Sequence, residues 1–345
     1  METTLLVLTV IAAIAFNVTS GFHDAAEVCT PAVVTRAIRP AGGLAFFAVM
    51  VFIGPFLAGT AVAETIGGFV TLSDEAPTTA LGIVAAGIAG AAVWNVVTWW
   101  FGIPSSSTHA LVGGLVGVTV AAEGPGHVQW GLSALADGKL EGVTKILVAL
   151  ILSPIVGLAA GFVVFRLGRL ALRRATRRAN RSLRRLLVGG TGLLAFAHGG
   201  NEAQKSMGVI ALALVLGGRQ SSFSIPLWVI VVSAATLVIG GVSGGWGIAR
   251  TLGYGIYRLE PLHAMGAQAG AAGVVYGAVL LGGPVSTTQV VASSIAGAGS
   301  AERLRGVRWD TGKAMMVVWL ITFPAAAAAG LALYALVAAA AALAG

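Results

Sequence analysis

Four polar stretches of this chain form two matched pairs. Gly21-Phe22-His23-Asp24-Ala25-Ala26-Glu27 returns 178 residues on as Gly199-Gly200-Asn201-Glu202-Ala203-Gln204-Lys205, and Pro104-Ser105-Ser106-Ser107-Thr108-His109 returns 180 residues on as Pro284-Val285-Ser286-Thr287-Thr288-Gln289. Such a duplication calls for two halves of like architecture, each carrying its polar residues at corresponding places. The surroundings are apolar: stretches 43–63, 80–101, 143–165, 226–248, 262–281 and 312–338 each approach or exceed the ~20 residues that cross a bilayer core. With 57% hydrophobic and 10% charged residues and a mean hydropathy of +0.91, no polar outer face is left for a soluble helical bundle. The expected fold class is an all-α polytopic membrane protein.

A net charge of +8 and a pI near 10.4 would fit a nucleic-acid binder if the basic residues were spread over a surface. Instead nine arginines lie between Arg166 and Arg185, in one run between two apolar halves. That pattern marks a cytoplasmic loop, not a nucleic-acid partner. Anionic membrane lipid is the secondary contact it suits, at about 1 kcal/mol per residue near the surface. Cys29 is the only cysteine, which excludes an intrachain disulfide. Residues 3–19 follow no positively charged segment and precede no small-residue cleavage site, so they read as a retained helix, not a leader.

Placing the arginine run inside fixes the remaining topology. Helix 143–165 then starts outside, with Glu123, Asp137 and Glu141; loop 64–79, with Glu64, Asp74 and Glu75, is also outside; Arg36 and Arg39 are inside. Residues 3–19 are expected to cross once, and 20–38 to dip into the membrane and return, because that segment is polar and broken by Gly and Pro. The first half thus makes five crossings, and the odd number inverts the second half. There 186–198 crosses, 199–217 dips, and 226–248, 262–281, 284–299 and 312–338 cross. Arg250, Arg258, Arg303, Arg305, Arg308 and Lys313 fall inside. The domain reading is a first inverted repeat over 1–165, an Arg-rich cytoplasmic linker over 166–185 and a second inverted repeat over 186–345, with both termini outside a plasma membrane. Broken or re-entrant helices should meet at the midplane.

Pro104 and Pro284 suit the first turn of a helix, where the missing N–H costs nothing. The free N–H groups and positive dipole of such a start attract an anion, and Ser106, Ser107, Thr108, Ser286, Thr287 and Thr288 add short donors. The competing reading is that these hydroxyls cap their own helices; duplication at matching positions favours a site. Asp24, Glu27 and Glu202 are the candidates for a coupling ion, since an ionisable residue in a membrane segment costs roughly 2.5–3.5 kcal/mol and is by default functional. Either Na⁺ lies between carboxylates and anion, or a carboxylate carries H⁺. Lys205 occupies the position equivalent to Glu27, and a Glu27–Lys205 pair competes evenly with separate roles. His23, His109 and His198 sit beside the motifs without metal-ligand spacing, and a structural role is favoured for each. His109, directly after the hydroxyls, is the best candidate for a relay. Asn95 and Thr98 stay unassigned. An enzyme is disfavoured, because no Gly-x-Ser-x-Gly elbow surrounds any serine and catalysis needs one asymmetric nucleophile, not two copies of a site.

At these residues the chain resembles the inorganic phosphate transporter (PiT) family, in its bacterial low-affinity permease form. Ala15-Phe16-Asn17 through Gly21-Phe22-His23-Asp24 to Thr35-Arg36-Ala37 is similar to the first family signature. Ala195-Phe196-Ala197-His198-Gly199-Gly200-Asn201, then Gln204-Lys205-Ser206-Met207-Gly208, is similar to the second, and Pro104–Gly113 and Pro284–Gly297 are similar to the family's paired hydroxyl segments. The resemblance implies an inverted-repeat fold and import of inorganic phosphate, free or as a metal complex, coupled to H⁺ or Na⁺ by alternating access. By position it implies cation or substrate binding by Asp24 and Asn201, and phosphate near the six hydroxyls. Asn201, Gln204 and Lys205 complete the expected substrate set. Three residues depart from the family pattern: Glu27 for Asn, Glu202 for Asp, and Gln289 for His. These leave sulfate or another oxyanion as an alternative, and an uncoupled channel or uniporter is the alternative if transport depends on neither ion. No cofactor is expected, a metal site is undetermined, and a homodimer is left open.

Overall fold

The first polar motif does not interrupt a helix. In the computed structural model, which describes residues 1–176, 179–244 and 255–344, α1 runs unbroken from Glu2 to Val34. The second motif likewise lies inside α8, Ala179–Leu216. The expected dips at 20–38 and 199–217 are therefore replaced by continuous helices. The glycines taken as breaks serve close packing instead. A Cβ at Gly21 would lie 2.6 Å from the Leu237 carbonyl oxygen, and one at the equivalent Gly199 would lie 2.3 Å from that of Val51. Small residues at such points let backbones touch where apolar side chains gain nothing over lipid.

Between and after these helices lie α2 (Pro40–Leu57), α3 (Ala61–Gly67), α4 (Pro77–Trp100), α5 (Ser107–Glu123), α6 (Leu132–Ala136) and α7 (Gly142–Ala171). The second half continues with α9 (Leu227–Ser243), α10 (Pro261–Leu280), α11 (Thr287–Arg303) and α12 (Trp309–Ala344). The long helices of the two halves correspond in order: α1 with α8, α2 with α9, α4 with α10, α5 with α11, α7 with α12. The halves interlock. Helix α1 packs on α9 while α8 packs on α2, and α5 packs on α12 while α11 packs on α7.

Among the described residues, five helices, α1, α2, α4, α7 and α12, are long and apolar enough to cross a membrane. Their outer surfaces carry Phe52, Ile53 and Phe56 on α2, Ile151 and Ile155 on α7, and Leu320 and Ile321 on α12, all exposed. The polar residues are inside, the reverse of a water-soluble protein. This is a multi-pass, all-α membrane protein.

The charged loops separate to two ends. Ala32 of α1, Leu187 of α8 and Ala264 of α10 pack together with Ala37, Ile38 and Met265. The Arg308 N–H donates to the Ile256 carbonyl at 3.0 Å nearby in the chain. That end gathers Arg36, Arg39, Arg169, Arg258, Arg303 and Arg305. At the other end Leu6, Leu81 and Ala213 pack together, and the Gln129 N–H donates to the Phe69 carbonyl at 2.9 Å. Glu64 of α3, Glu123 at the end of α5, and the loop residues Asp74, Glu75 and Glu141 belong to that end. Arg177, Arg178 and Arg250 lie outside the described residues, as do the last residues of stretch 226–248.

Candidate functional site

The breaks expected near the motif glycines occur instead before α5 and α11. After Trp100 and after Leu280 the chain leaves its helix, runs through Pro104 or Pro284, and starts a new one in the buried interior. The sequence places both prolines in a helical first turn, but the helices begin later, at Ser107 and Thr287. Ser106 and Ser286 are the N-caps, accepting from the backbone N–H of His109 at 3.3 Å and of Gln289 at 3.4 Å. For these two hydroxyls the capping alternative describes the geometry.

The remaining hydroxyls also divide by position. Thr108 donates to the Val285 carbonyl at 3.0 Å, and Thr288 donates to the Ser105 carbonyl at 3.0 Å. Each tip thus holds the other through equivalent atoms, a local twofold exchange. His109 and Gln289 meet across the same exchange, with Nε2 atoms 3.4 Å apart. His109 also places Nδ1 2.5 Å from Ser106 Oγ and packs at a steep tilt against the Phe323 ring, centroids 4.5 Å apart. Thr98 and Ser105 hydroxyls lie 2.7 Å apart behind the first tip.

Ser107 and Thr287, the middle hydroxyls, both turn to Glu202. Ser107 donates to Oε2 at 2.8 Å, and Thr287 reaches Oε1 at 3.5 Å. The Asn201 amide donates to Oε1 at 3.0 Å, and Lys205 Nζ pairs with the same oxygen and reaches Ser107 Oγ at 3.3 Å. Lys205 and Asn201 are fully buried, and Glu202 is 2% exposed. Both helix starts and α8 therefore converge on one carboxylate, with Ser107 the single half-buried hydroxyl among the six. Charge-assisted donors of this kind hold an oxyanion strongly in a low-dielectric interior. Asn201 also clamps the second tip: its amide donates to the Val285 carbonyl at 2.9 Å, and the Val285 N–H donates to its oxygen at 3.3 Å.

The pairing of charges differs from the expected cross-repeat pair. Lys205 pairs with Glu202, three residues away on the same helix, not with Glu27. A continuous α8 puts positions 202 and 205 on one face, whereas Glu27 belongs to α1. Asp24 pairs with His198 of α8 at 3.1 Å. Glu27 accepts from the Thr288 hydroxyl at 2.5 Å. Each carboxylate has its own partner, and among the described residues no three His, Cys, Asp or Glu side chains gather around a metal position. Gln204 is turned to α3: its oxygen accepts from the N–H groups of Val62 at 2.9 Å and Ala63 at 3.2 Å, while its amide donates to the Gly200 carbonyl at 2.8 Å. That geometry satisfies orphan donors at the start of α3.

Two residues of the site were undervalued in the sequence. His198 lies four residues before Glu202, a same-face spacing visible once α8 is taken as one helix. Asn95 donates to Ser20 at 3.2 Å, and its carbonyl lies 3.2 Å from His23 Nε2, tying α4 to the first motif.

Comparison with known proteins follows the same lines. The sequence model of the Phosphate transporter family matches residues 20–181 and 171–330. A probable low-affinity inorganic phosphate transporter of Bacillus subtilis is 36% identical over 332 residues, covering 94% of this chain and 95% of that protein. The Mycobacterium tuberculosis (strain H37Rv) protein of the same name is 40% identical over 336 residues, covering 96% of this chain and 78% of its own length. The structure called the sodium-dependent phosphate transporter superposes with a TM-score of 0.86 at 21% identity, over 97% of this chain and 99% of that one. That last likeness is one of fold.

Proposed function

The chain belongs to the Phosphate transporter family, a family of transporters and not of enzymes, and on that premise we propose that it imports inorganic phosphate with a coupling cation. Alternating access about the two crossed tips is the proposed mechanism. The observation that carries the reading is the convergence of Ser107, Thr287, Asn201 and Lys205 on the Glu202 carboxylate. A donor set that already surrounds one oxyanion suits another. Phosphate entering the site takes over these donors, and Glu202 gives way.

In this reading Ser106 and Ser286 shape the two helix starts, Thr108 and Thr288 tie them together, and Gln204 supports α3 from behind. The coupling cation is H⁺ or Na⁺, with Asp24, Glu27 and Glu202 as the acidic groups available to it. Repeats over 1–165 and 186–345 have opposite orientation, and the arginine-rich end faces the cytoplasm and its anionic lipid. Both termini are then outside.

The test is counterflow of radiolabelled phosphate in proteoliposomes. Phosphate loaded inside should accelerate uptake of label from the bath, and excess external phosphate should block it while excess sulfate does not. Equal block by sulfate would assign another oxyanion, and label entry insensitive to internal phosphate would assign a channel.

A further inference from the structure

Among the described residues, Glu27 differs from the other two buried carboxylates in having no basic side chain at ion-pair distance. Glu202 has Lys205 as a cationic partner and Ser107 and Asn201 as donors, so its ionised form is fully served. Asp24 has His198. Glu27, 1% exposed, has only the Thr288 hydroxyl, and its Oε2 has no hydrogen-bond partner.

That hydroxyl lies within hydrogen-bond range of two oxygens, Glu27 Oε1 at 2.5 Å and the Ser105 carbonyl at 3.0 Å. A carbonyl only accepts, an ionised carboxylate only accepts, and threonine brings one hydrogen. Two full bonds need a second hydrogen. A proton on Glu27 supplies it: Glu27 donates to Thr288, and Thr288 donates to Ser105.

Among the described residues, no cation takes its place. On α1, Asp24 is one turn away and His23 is held by Asn95. On α8, His198 and Lys205 are committed to Asp24 and Glu202. Helices α2, α4 and α9 carry no ionisable side chain among their described residues. Helix α10 brings His263, paired with Glu302, and Tyr276; α11 brings Glu302 and Arg303 at its far end; His109 of α5 is engaged by Ser106 and Gln289.

We infer that Glu27 is the proton carrier of this transporter, so that phosphate moves with H⁺ bound at this carboxyl. The step makes and breaks only the Glu27 O–H bond: a proton is taken from water on one side and released to water on the other. Release leaves a carboxylate that claims the Thr288 hydrogen, and the Thr288 bond to Ser105 is given up. The opposite tie, Thr108 to Val285, has no acid beside it, because Lys205 occupies the equivalent position. One of the two ties between the tips thus responds to the proton.

This inference rests on the phosphate reading above, and the experiment keeps the two apart. In Na⁺-free proteoliposomes, one unit of inward pH gradient sustains roughly tenfold accumulation per coupled proton. Wild type should approach that value, while Glu27→Gln, normalised to its own counterflow, should show no accumulation. Identical vesicles and buffers cancel the titration of phosphate itself. Equal normalised accumulation by both proteins, or accumulation that requires Na⁺ and ignores pH, would overturn the inference. Absence of phosphate counterflow in wild type would overturn the functional reading instead. Should Glu27→Gln fail to fold, wild type alone decides: its infrared spectrum must contain a protonated-carboxyl band that shifts in D₂O, and lack of that band removes Glu27 as the carrier.

Discussion

Positions 27 and 205 hold equivalent places in the two repeats, one an acid and the other a base. Lys205 sits in a saturated environment, bonded to Glu202 and Ser107. Glu27 has one neutral neighbour and a bare oxygen. The frame around them is nearly symmetric, from the glycines at 21 and 199 to the caps at 106 and 286. Duplication supplied the cradle, and substitution at matched places gave each side of it separate work. In the proposed mechanism, a symmetric frame with an acid on one side and a base on the other gives an anion and a proton separate donors.

Three experiments probe that contrast, beginning with the largest expected effect. Lys205→Met leaves Glu202 buried without its cation, a change that costs ~3–5 kcal/mol. Thermal unfolding in detergent should shift strongly downward and phosphate counterflow should disappear. Adding Glu202→Gln should restore much of the stability but not the transport; recovery of both would take Lys205 out of the anion site.

The frame itself is tested by Gly21→Ala and Gly199→Ala. Each added Cβ meets a carbonyl oxygen, at 2.6 Å and 2.3 Å, and overpacking of this kind costs about 1–3 kcal/mol. Similar losses of melting temperature are expected at the two positions. A large loss at only one would show that the frame is less symmetric than its backbone.

The smallest effect separates the two ties. Thr108→Val removes one hydrogen bond, at about 1 kcal/mol, whereas Thr288→Val removes the tie to Ser105 and the contact with Glu27 together. The melting temperature should fall further in Thr288→Val. Only Thr288→Val should alter the pH dependence of uptake, because only Thr288 touches a carboxyl group. A matching change in Thr108→Val would place the proton-sensitive element elsewhere.

Much of this arrangement was legible in the residues. The apolar stretches, the duplicated hydroxyls and the arginine run pointed to a membrane protein with two helix starts meeting inside, and the two starts do meet. The continuity of α1 and α8 was not legible, because glycine signals a bend and a close contact with the same letter. Gly21 and Gly199 are contacts, a fact that depends on α9 and α2 arriving there. The wrong break then hid the right partners. With α8 interrupted at 199, His198 and Glu202 share no face, and Lys205 looks free to reach Glu27. Six hydroxyls offered as equals also proved to be three kinds, two capping, two tying and two facing a carboxylate. Only the paths of the neighbouring backbones distinguish them.

The reciprocal fastening of Thr108 to Val285 and Thr288 to Ser105 bears on the chain's descent. Each half supplies the acceptor that its sibling's threonine needs. Either half alone would bury a carbonyl and a hydroxyl with no mate. Mutations that reshape one tip are therefore felt by the other, and the two copies are inherited as one unit, free to diverge in charge but not in outline.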